Sequence, residues 1–465
     1  MFREIIFKIF KTFKHPYLYD RHSNSLVRLS DEEYAELTRV EKGELDALQS
    51  SVIAKYQAQG MLEPNVVNKI EHPHTMILGQ YLKTRMKQLT LQVTQQCNLR
   101  CEYCVYSGIY GRSRTHSSER MSWETAKKAI DFFLRRSWVL PEVTIGFYGG
   151  EPMLEFDLIK KCVAYAESQV EGKVIKFNMT TNGTIMTDEM MDYLVEKNFI
   201  LSVSLDGSKE EHDANRKFVD GRGSFGVIVS NIKRFHERYP EYEKNTTILT
   251  TINPHMDIEC VLEYFSTSEI FSDKGIMFNS MVEVDLEQEV NYEEKFYLVR
   301  NFEYAKMLLS AVGKLDSKYV SGLTRTSLGL IATRLKSMRM HGKIPNVAHH
   351  GGPCLPGVLR LFVRADGALF PCERVGETID YFRIGTLEDG IDVDKARKIL
   401  SNGSITENEC RNCWSISHCS ICTSQIDFDV EPTKENKLLE CTNSIGRAMF
   451  SIYELAVLDE FGYEV

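Results

Sequence analysis

Between about residues 88 and 312 the chain alternates short apolar runs with longer amphipathic stretches. The apolar runs predict strands over 89–94, 143–148, 174–180, 200–205, 246–252 and 276–282. The stretches between them, such as 122–136 and 187–197, carry apolar residues at helical spacing. Six alternations predict a parallel sheet covered by helices, and six are too few for a closed eight-stranded barrel. We therefore expect an α/β fold with a partial, open (β/α)6 barrel over 81–312.

Residues 1–80 predict a smaller unit ahead of the barrel. Strand-like alternation at 17–20 and 25–29, joined by four polar residues, is typical of a hairpin. Ser30 is a good helix N-cap ahead of three acidic residues, and helical pattern continues over 44–59. We expect a winged-helix-like α+β domain here. Its amphipathic first fifteen residues either pack against this domain or lie on a membrane surface.

After about residue 350 the pattern changes again, to short strands, turns and closely spaced cysteines. Residues 351–465 are therefore expected to form a third domain. Residues 313–350 are interpreted as a bridging segment between the barrel and this domain.

Charge and hydropathy exclude several classes of protein. The chain has 465 residues with 56 basic and 65 acidic side chains, a formal charge of −9. This net charge repels nucleic acid, so we expect no nucleic-acid partner. No apolar run approaches the roughly 18–20 residues of a membrane span, and basic residues interrupt the N-terminal apolar positions before a signal-peptide core forms. We expect a cytoplasmic protein with no membrane partner.

Cysteine usage changes the picture, because ten of the twelve cysteines are clustered. Disulfides are disfavoured in the cytosol, so clustered thiols indicate metal ligands or redox groups. The other two, Cys162 and Cys260, lie in the helical stretches 157–169 and 257–268 and fit their apolar faces. We expect both to be buried core residues.

Cys97, Cys101 and Cys104 follow the first predicted strand on one loop. Three thiolates at this spacing can cover three irons of a cubane and leave the fourth iron without a protein ligand, which makes that iron a substrate site. A three-cysteine zinc site completed by another residue is the alternative.

This loop resembles the signature of the radical S-adenosylmethionine (radical SAM) enzymes, a CxxxCxxC motif with an aromatic residue, here Tyr103, before the last cysteine. The resemblance implies that Cys97, Cys101 and Cys104 are the catalytic residues and bind a 4Fe-4S cluster. Its open iron would be chelated by the amino and carboxylate groups of S-adenosylmethionine. Electron transfer to the sulfonium would release methionine and a 5′-deoxyadenosyl radical, and a flavodoxin- or ferredoxin-type electron donor is an implied partner.

Further segments match the same family at later strand ends. They are Gly149-Gly150-Glu151-Pro152, Thr180-Thr181-Asn182-Gly183, Ser204-Leu205-Asp206-Gly207 and the following Arg216. The first resembles the GGEP segment that meets the methionyl amino group, and its glycines suit close approach of backbone to a ligand. The implied cofactor-binding residues are Tyr103, Gly149, Gly150, Glu151, Asn182, Ser204, Asp206 and Arg216. Taken singly, each glycine-containing segment also fits an ordinary turn.

Seven cysteines lie in the C-terminal region, one short of the eight that two four-cysteine clusters need. They are Cys354, Cys372, Cys410, Cys413, Cys419, Cys422 and Cys441. The pattern resembles the SPASM extension of radical SAM peptide maturases, although that family has three residues where this chain has only Ser420 and Ile421 before Cys422.

The SPASM resemblance implies two auxiliary 4Fe-4S clusters, and therefore three clusters in all. Cys354, Cys372 and Cys422 would hold the nearer auxiliary cluster, leaving a coordination site for a substrate thiolate. The farther cluster would be closed by Cys410, Cys413, Cys419 and Cys441. A paired zinc ribbon is the alternative, and His418 is a competing ligand.

The predicted N-terminal hairpin and helices resemble the PqqD-like recognition element fused to maturases of ribosomal peptides (RiPPs). Such a module adds the leader segment of a precursor peptide as a strand at a sheet edge. A small stabilising domain is the alternative.

Together these resemblances predict a peptide maturase that forms thioether crosslinks, similar to the sactipeptide and ranthipeptide synthases. Enzymatic alternatives are an anaerobic sulfatase-maturating, formylglycine-forming enzyme and a carbon–carbon crosslinking maturase. A zinc-stabilised peptide-binding protein is the non-enzymatic alternative. Glu283 is a candidate for the base that deprotonates the incoming cysteine.

Overall fold

The computed structural model describes residues 4–111, 113–170, 172–268, 270, 276–280, 291–340 and 342–463. The last two residues of the strand predicted over 276–282, and the candidate base Glu283, lie outside the described residues.

Strands and helices are numbered in chain order. The strands are β1 Phe7–Lys11, β2 Pro16–Asp20, β3 Ser25–Arg28, β4 Lys69–Ile70, β5 Gln88–Thr94, β6 Glu142–Gly149, β7 Val174–Thr181, β8 Ile200–Ser204, β9 Thr246–Ile252, β10 Ile276–Ser280, β11 Val347–Ala348, β12 Leu361–Val363, β13 Ala368–Phe370, β14 Gly385–Thr386 and β15 Gly390–Ile391. The helices are α1 Asp31–Glu41, α2 Ser51–Gln57, α3 Leu78–Thr84, α4 Trp123–Arg135, α5 Phe156–Ser168, α6 Asp188–Glu196, α7 Lys209–Asn215, α8 Phe225–Arg238, α9 Ile258–Thr267, α10 Glu294–Ala311, α11 Gly322–Met340, α12 Val393–Leu400, α13 Glu407–Arg411 and α14 Lys434–Glu460. Across the described ranges, none of these helices is long and apolar enough to cross a bilayer.

The six strands from β5 to β10 lie side by side in chain order and are all parallel. The first five predicted strands are found within one residue at each end. Because parallel strands end at a common edge, the loops that follow β5 to β9 meet there. The α/β fold predicted from the alternation is therefore present, and its candidate site residues converge on one edge.

Helix α4 illustrates why these stretches fold as helices. The Ser122 hydroxyl accepts a hydrogen bond from the Thr125 N–H at 3.0 Å and caps the first turn. Ala126, Ile130 and Phe133, at helical spacing, are buried against the sheet. The predicted cap and apolar face are both confirmed.

The C-terminal region continues the same sheet beyond β5. Strand β12 pairs with β5 in parallel, and β13, β14 and β15 follow in antiparallel order. Leu361 stands opposite Leu89, so the cysteine-rich region begins directly beside the strand that carries the first cysteine loop. This pairing brings the C-terminal cysteines close to the edge where the candidate residues meet.

The N-terminal unit is a three-stranded antiparallel sheet, β1-β2-β3, followed by α1 and α2. The predicted hairpin is present, and Ser30 forms a capping box with Glu33 at the start of α1. The amphipathic start contains strand β1. One side of this sheet forms a small core, while Phe10, Tyr17 and Tyr19 on the other side contact α14.

Cys162 is fully buried in α5, as predicted, but the prediction for Cys260 is wrong because its side chain is exposed. Helix α9 buries Ile258, Val261 and Phe265, which define its inner face. Cys260 points away from that face.

Candidate functional site

The three cysteines after β5 surround a cavity at the carboxyl edge of the parallel sheet. Cys97, Cys101 and Cys104 all line this cavity, whose volume is about 260 Å³. The predicted residues Tyr103, Gly149, Gly150, Glu151, Asn182, Ser204 and Arg216 line it with them. The structure therefore brings the predicted residues together in one site. Asp206 is the exception, because it does not line the cavity.

Gly149 and Gly150 allow the end of β6 to lie directly against the cysteine loop. The Gly150 N–H donates to the Thr94 carbonyl and the Glu151 N–H to the Gln96 carbonyl, both at 2.9 Å. A Cβ at either glycine would overlap one of these carbonyls, and Gly149 has a φ of +141°. The glycines are therefore required because this segment packs closely against the protein's own backbone at Thr94 and Gln96.

Glu151 is fully buried, and its carboxylate connects three segments of the wall. It accepts hydrogen bonds from the Thr181 hydroxyl at 2.7 Å, the Asn182 N–H at 2.7 Å and the Met153 N–H at 3.0 Å. Burial raises the pKa of Glu151, although these donors favour its ionised form. The carboxylate therefore holds the β7 end in position and keeps little capacity for a ligand.

Asn182 joins the β7 end to the cysteine loop. Its Nδ2 donates to Asn98 Oδ1 at 2.8 Å and lies 3.8 Å from Cys97 Sγ. Its Oδ1 accepts from the backbone and hydroxyl of Thr184. Asn182 thus braces the loop from inside the cavity.

Asp206 lies behind the wall and fixes Arg216, whose guanidinium reaches the cavity. The Arg216 Nε and Nη2 groups donate to the two carboxylate oxygens, and the Tyr103 hydroxyl donates to the same carboxylate. The Thr251 N–H also donates to the Asp206 carboxylate, at 2.9 Å. Asp206 therefore acts on the cavity through Arg216 and Tyr103.

The thiols of the loop are protonated when no metal is bound. Burial raises the pKa of Cys97 to about 11 and that of Cys101 to about 12, and it also raises the pKa of Cys104. Metal ions bind the thiolate form, so loading this site releases protons.

Several lining residues were missed by the sequence prediction. They are Tyr106, His116, Tyr148, Thr180, Thr181 and Thr251. Thr180 and Thr181 belong to a segment that was predicted to face the site, but only Asn182 of that segment was predicted to bind the cofactor. Behind them Glu377, buried, accepts from Gln92, Tyr106 and Arg114. Tyr106 and His116 lie in an irregular loop, where no periodicity marks them; Tyr148 was marked only as a strand residue.

The predicted nearer set of C-terminal thiols is brought together beside this cavity. Cys354 and Cys422 lie within electrostatic range of each other and of Cys372. Glu373 is within electrostatic range of Cys354 and Cys372, and its Oε1 is paired with Arg360. The other oxygen, Oε2, is buried and has no hydrogen-bond partner in the described part of the chain.

Tyr148 connects the two sites. This residue lines the first cavity. Burial is the main cause of the raised pKa of its hydroxyl, and the negative charges of Glu373 and Cys104 raise that pKa further. Tyr148 is therefore within electrostatic range both of the first cysteine loop and of the carboxylate that follows Cys372.

The predicted farther set lines a second cavity of about 360 Å³. Its four thiols are Cys410, Cys413, Cys419 and Cys441. Cys410 is buried at the end of α13, and Cys441 lies on α14, so helix and loop segments far apart in sequence close the cavity. His418, the competing ligand of the sequence prediction, is not among its lining residues.

The candidate metal ligands in the structure are the three groups of thiols. In the described ranges, no group of three or more His, Cys, Asp or Glu side chains is placed to hold one metal ion. Thiolates on zinc share one centre about 2.3 Å away, whereas those on a cubane each bind a different iron and stand farther apart. The structure thus groups three thiols around one cavity and four around a second, and it places Cys354, Cys372 and Cys422 within electrostatic range of one another.

Comparison with known proteins agrees with this chemistry. Residues 91–266 match the Radical SAM superfamily. The chain is 24% identical over 378 residues to a cysteine-type anaerobic sulfatase-maturating enzyme of Clostridium novyi (strain NT), which covers 76% of this chain and 91% of that protein. It is 23% identical over 417 residues to the radical SAM cyclopropyl synthase TigE of Paramaledivibacter caminithermalis, 86% of this chain and 81% of that protein.

The solved structure of native anSMEcpe with bound AdoMet and the Cp18Cys peptide has the same fold. It aligns with a TM-score of 0.56 at 20% identity, over 81% of this chain and 99% of that chain. Residues 91–266 of the chain therefore match the Radical SAM superfamily model, and the chain shares its fold with this solved structure.

Proposed function

We propose that this enzyme installs thioether crosslinks between a cysteine sulfur and an acceptor-residue carbon in a ribosomal precursor peptide. The observation that carries the proposal is the group of Cys354, Cys372 and Cys422 beside the radical SAM cavity. Three thiolates cover three irons of a cubane, so the thiolate of a substrate cysteine would complete the set. The sulfur to be joined would then be held next to the cavity.

With its cofactors bound, the cavity supplies a 5′-deoxyadenosyl radical that removes a carbon-bound hydrogen atom from the acceptor residue. Crosslinking breaks one C–H and one S–H bond and forms one C–S bond, which is a two-electron oxidation. One electron would leave with the hydrogen atom, and the second would need an acceptor, which is the chemistry that clusters held by the C-terminal thiols would supply. The proton of the substrate thiol goes to a base, and the unpartnered Oε2 of Glu373 is suited to accept it.

The N-terminal unit would hold the leader segment of the precursor. Strand β3 pairs only with β2, whereas the outer side of β1 is partly covered by the bridge between Ile5 and Pro64. Among the described strands of this sheet, β3 therefore offers the freer edge, to which an extended peptide can add through main-chain hydrogen bonds.

The proposal is tested by incubating the reduced, anaerobic enzyme with S-adenosylmethionine, a flavodoxin- or ferredoxin-type donor and a cysteine-rich precursor peptide. We expect 5′-deoxyadenosine and a mass loss of two hydrogens per crosslink. Unchanged peptide mass with vigorous turnover of S-adenosylmethionine would contradict the substrate assignment.

Two cysteine variants separate the sites. Cys97→Ala should abolish cleavage of S-adenosylmethionine, because it removes a ligand of the first site. Cys372→Ala should leave uncoupled cleavage and abolish crosslinking. Cys260→Ala is the matched control, since this thiol is exposed and lines neither thiol cavity, and it should behave as wild type.

Metal content separates the enzyme from a zinc-stabilised binding protein. Three cubanes correspond to about twelve irons per chain, with matching sulfide. Two or three zinc ions and no iron would end the assignment of three clusters.

Formylglycine formation is the second candidate, favoured by the similarity to the Clostridium novyi enzyme over 91% of its length. It predicts oxidation of a cysteine or serine in a sulfatase-derived peptide that carries no leader. Conversion of that peptide, with the precursor left unmodified, would favour this candidate over thioether formation.

A further inference from the structure

One buried basic side chain lines the four-thiol cavity, and a second lies within electrostatic range of one of its cysteines. Lys437, on the first turn of α14, is fully buried and lines the cavity. Its Nζ donates to the Asn402 carbonyl at 2.8 Å and lies 3.8 Å from Cys410 Sγ. In the described part of the chain no carboxylate lies within ion-pair distance of its Nζ. Glu409, the one acidic residue among those lining the cavity, forms its ion pair with Lys434 and acts on Lys437 only at longer range.

The second cation, Arg21, comes from the turn between β2 and β3 of the N-terminal unit. Only 2% of its surface is exposed. Its Nη1 donates to Asn65 Oδ1 at 2.9 Å, and Asn65 Nδ2 donates at 3.0 Å to the carbonyl of Arg411, between two of the cavity cysteines. Arg21 also lies within electrostatic range of Cys413.

The guanidinium of Arg21 is left without its full set of acceptors. Its Nε and Nη2 are buried and make no hydrogen bond to any described residue. The adjacent Asp20 carboxylate is taken up by the backbone of His22 and by the backbone and hydroxyl of Ser23. Burying a cation without a counter-charge is costly, so two such groups at one cavity indicate an anionic occupant.

A cubane held by four thiolates is a net anion, and its reduction adds a further negative charge. Nearby cations therefore stabilise the reduced form more than the oxidised form and raise the reduction potential. We propose that Lys437 and Arg21 provide the counter-charge of the cluster held by Cys410, Cys413, Cys419 and Cys441, and make it the more easily reduced auxiliary centre.

This inference rests on the proposed cluster ligands and adds a role for the N-terminal unit. Arg21 lies four residues before Ser25, where the strand proposed to bind the leader begins. The same hairpin thus presents the free edge on one side and a cation to the four-thiol cavity on the other. The cluster environment is incomplete without the N-terminal unit.

The test is an EPR-monitored redox titration of the reconstituted holoenzyme and its variants. Lys437→Met and Arg21→Met should each shift one of three cluster midpoints to a more negative potential, and the double variant should shift it further. Lys437→Arg and Arg21→Lys keep the charge and should restore the wild-type midpoint. Lys233→Met, an exposed lysine of helix α8 that pairs with exposed Glu237 on the same helix, is the control and should leave all midpoints unchanged.

Iron content distinguishes the remaining outcomes. Loss of about four irons in Lys437→Met but not in Lys437→Arg also supports the counter-charge role, since assembly then depends on the charge. Unchanged midpoints at full iron content, or equal iron loss in both variants, would overturn the inference. A wild-type enzyme with no third midpoint would instead refute the ligand assignment itself.

Discussion

Asp206 holds the Arg216 guanidinium through two hydrogen bonds, 2.7 Å from Nε and 3.2 Å from Nη2, and both side chains are buried. Only Arg216 reaches the cavity surface, and its guanidinium stands 5.3 Å from the centre of the Tyr103 ring. The pair therefore sets the position of a positive charge beside the cysteine loop, where an anionic group of the cofactor can meet it.

Breaking this pair on one side should destabilise the protein more than removing it entirely. Asp206→Leu leaves a buried guanidinium unpaired, which costs about 3–5 kcal/mol, whereas the double variant with Arg216→Met leaves no uncompensated charge. Urea denaturation of both variants under anaerobic conditions measures the difference. A double variant that is less stable than Asp206→Leu would contradict the ion-pair interpretation.

Gly150→Ala should disrupt the first cluster site. The new Cβ would overlap the Gln96 carbonyl and crowd the Cys97 N–H, so the cysteine loop must move. We expect loss of about four irons per chain and of S-adenosylmethionine cleavage. Gly226→Ala, in helix α8 with open space around the new Cβ, is the control and should be neutral or slightly stabilising.

The first site could be predicted because chain order and space agree in a parallel sheet. The ends of β5, β6 and β7 meet at one edge, so the strand pattern predicts that Cys97, Gly150 and Asn182 lie together, while the family resemblance marked them as site residues. The glycines also carry a local signal, since only glycine tolerates such close backbone approach.

Contacts that depend on the C-terminal region could not be predicted. Glu373 reaches Tyr148 only because the three-residue strand β12 pairs with β5, and a strand this short has no readable periodicity. Lys437 and Arg21 were missed for another reason. Basic residues are ordinarily exposed, and nothing in the sequence around either marks it as buried.

Thiol accessibility should report on cluster loading. Cys260 and Cys354 are the two exposed cysteines in the structure, but only Cys354 is a proposed ligand. In the loaded, anaerobic enzyme an alkylating reagent should modify Cys260 rapidly and leave Cys354 protected. After iron is removed by a chelator, both should react, while Cys162 stays unmodified in the folded chain. Fast modification of Cys354 at full iron content would remove it from the ligand set.

His212 should make stability depend on pH below neutrality. It is fully buried, its Nδ1 accepts from the Asp206 N–H at 3.2 Å, and its Nε2 therefore carries the proton and donates to the Ser224 hydroxyl at 2.8 Å. Ser224 in turn donates to the Arg216 carbonyl at 2.8 Å. This chain of hydrogen bonds requires the neutral imidazole. Burial, followed by the charge of Arg216, lowers the pKa of His212 from 6.5 to about 4.

Because the folded-state pKa is lowered, the stability due to neutral His212 is fully present above pH 6.5 and is lost as the pH falls toward 4. Between pH 7.5 and 5 this amounts to about 2 kcal/mol. His212→Asn keeps an acceptor near the Nδ1 position but cannot titrate. At pH 7.5 this variant should be less stable than wild type, and at pH 5 the difference in unfolding free energy should be smaller by that amount. Urea midpoints across this range measure the effect, with exposed His255→Asn as control. A gap that stays constant with pH would show that His212 is not the titrating group.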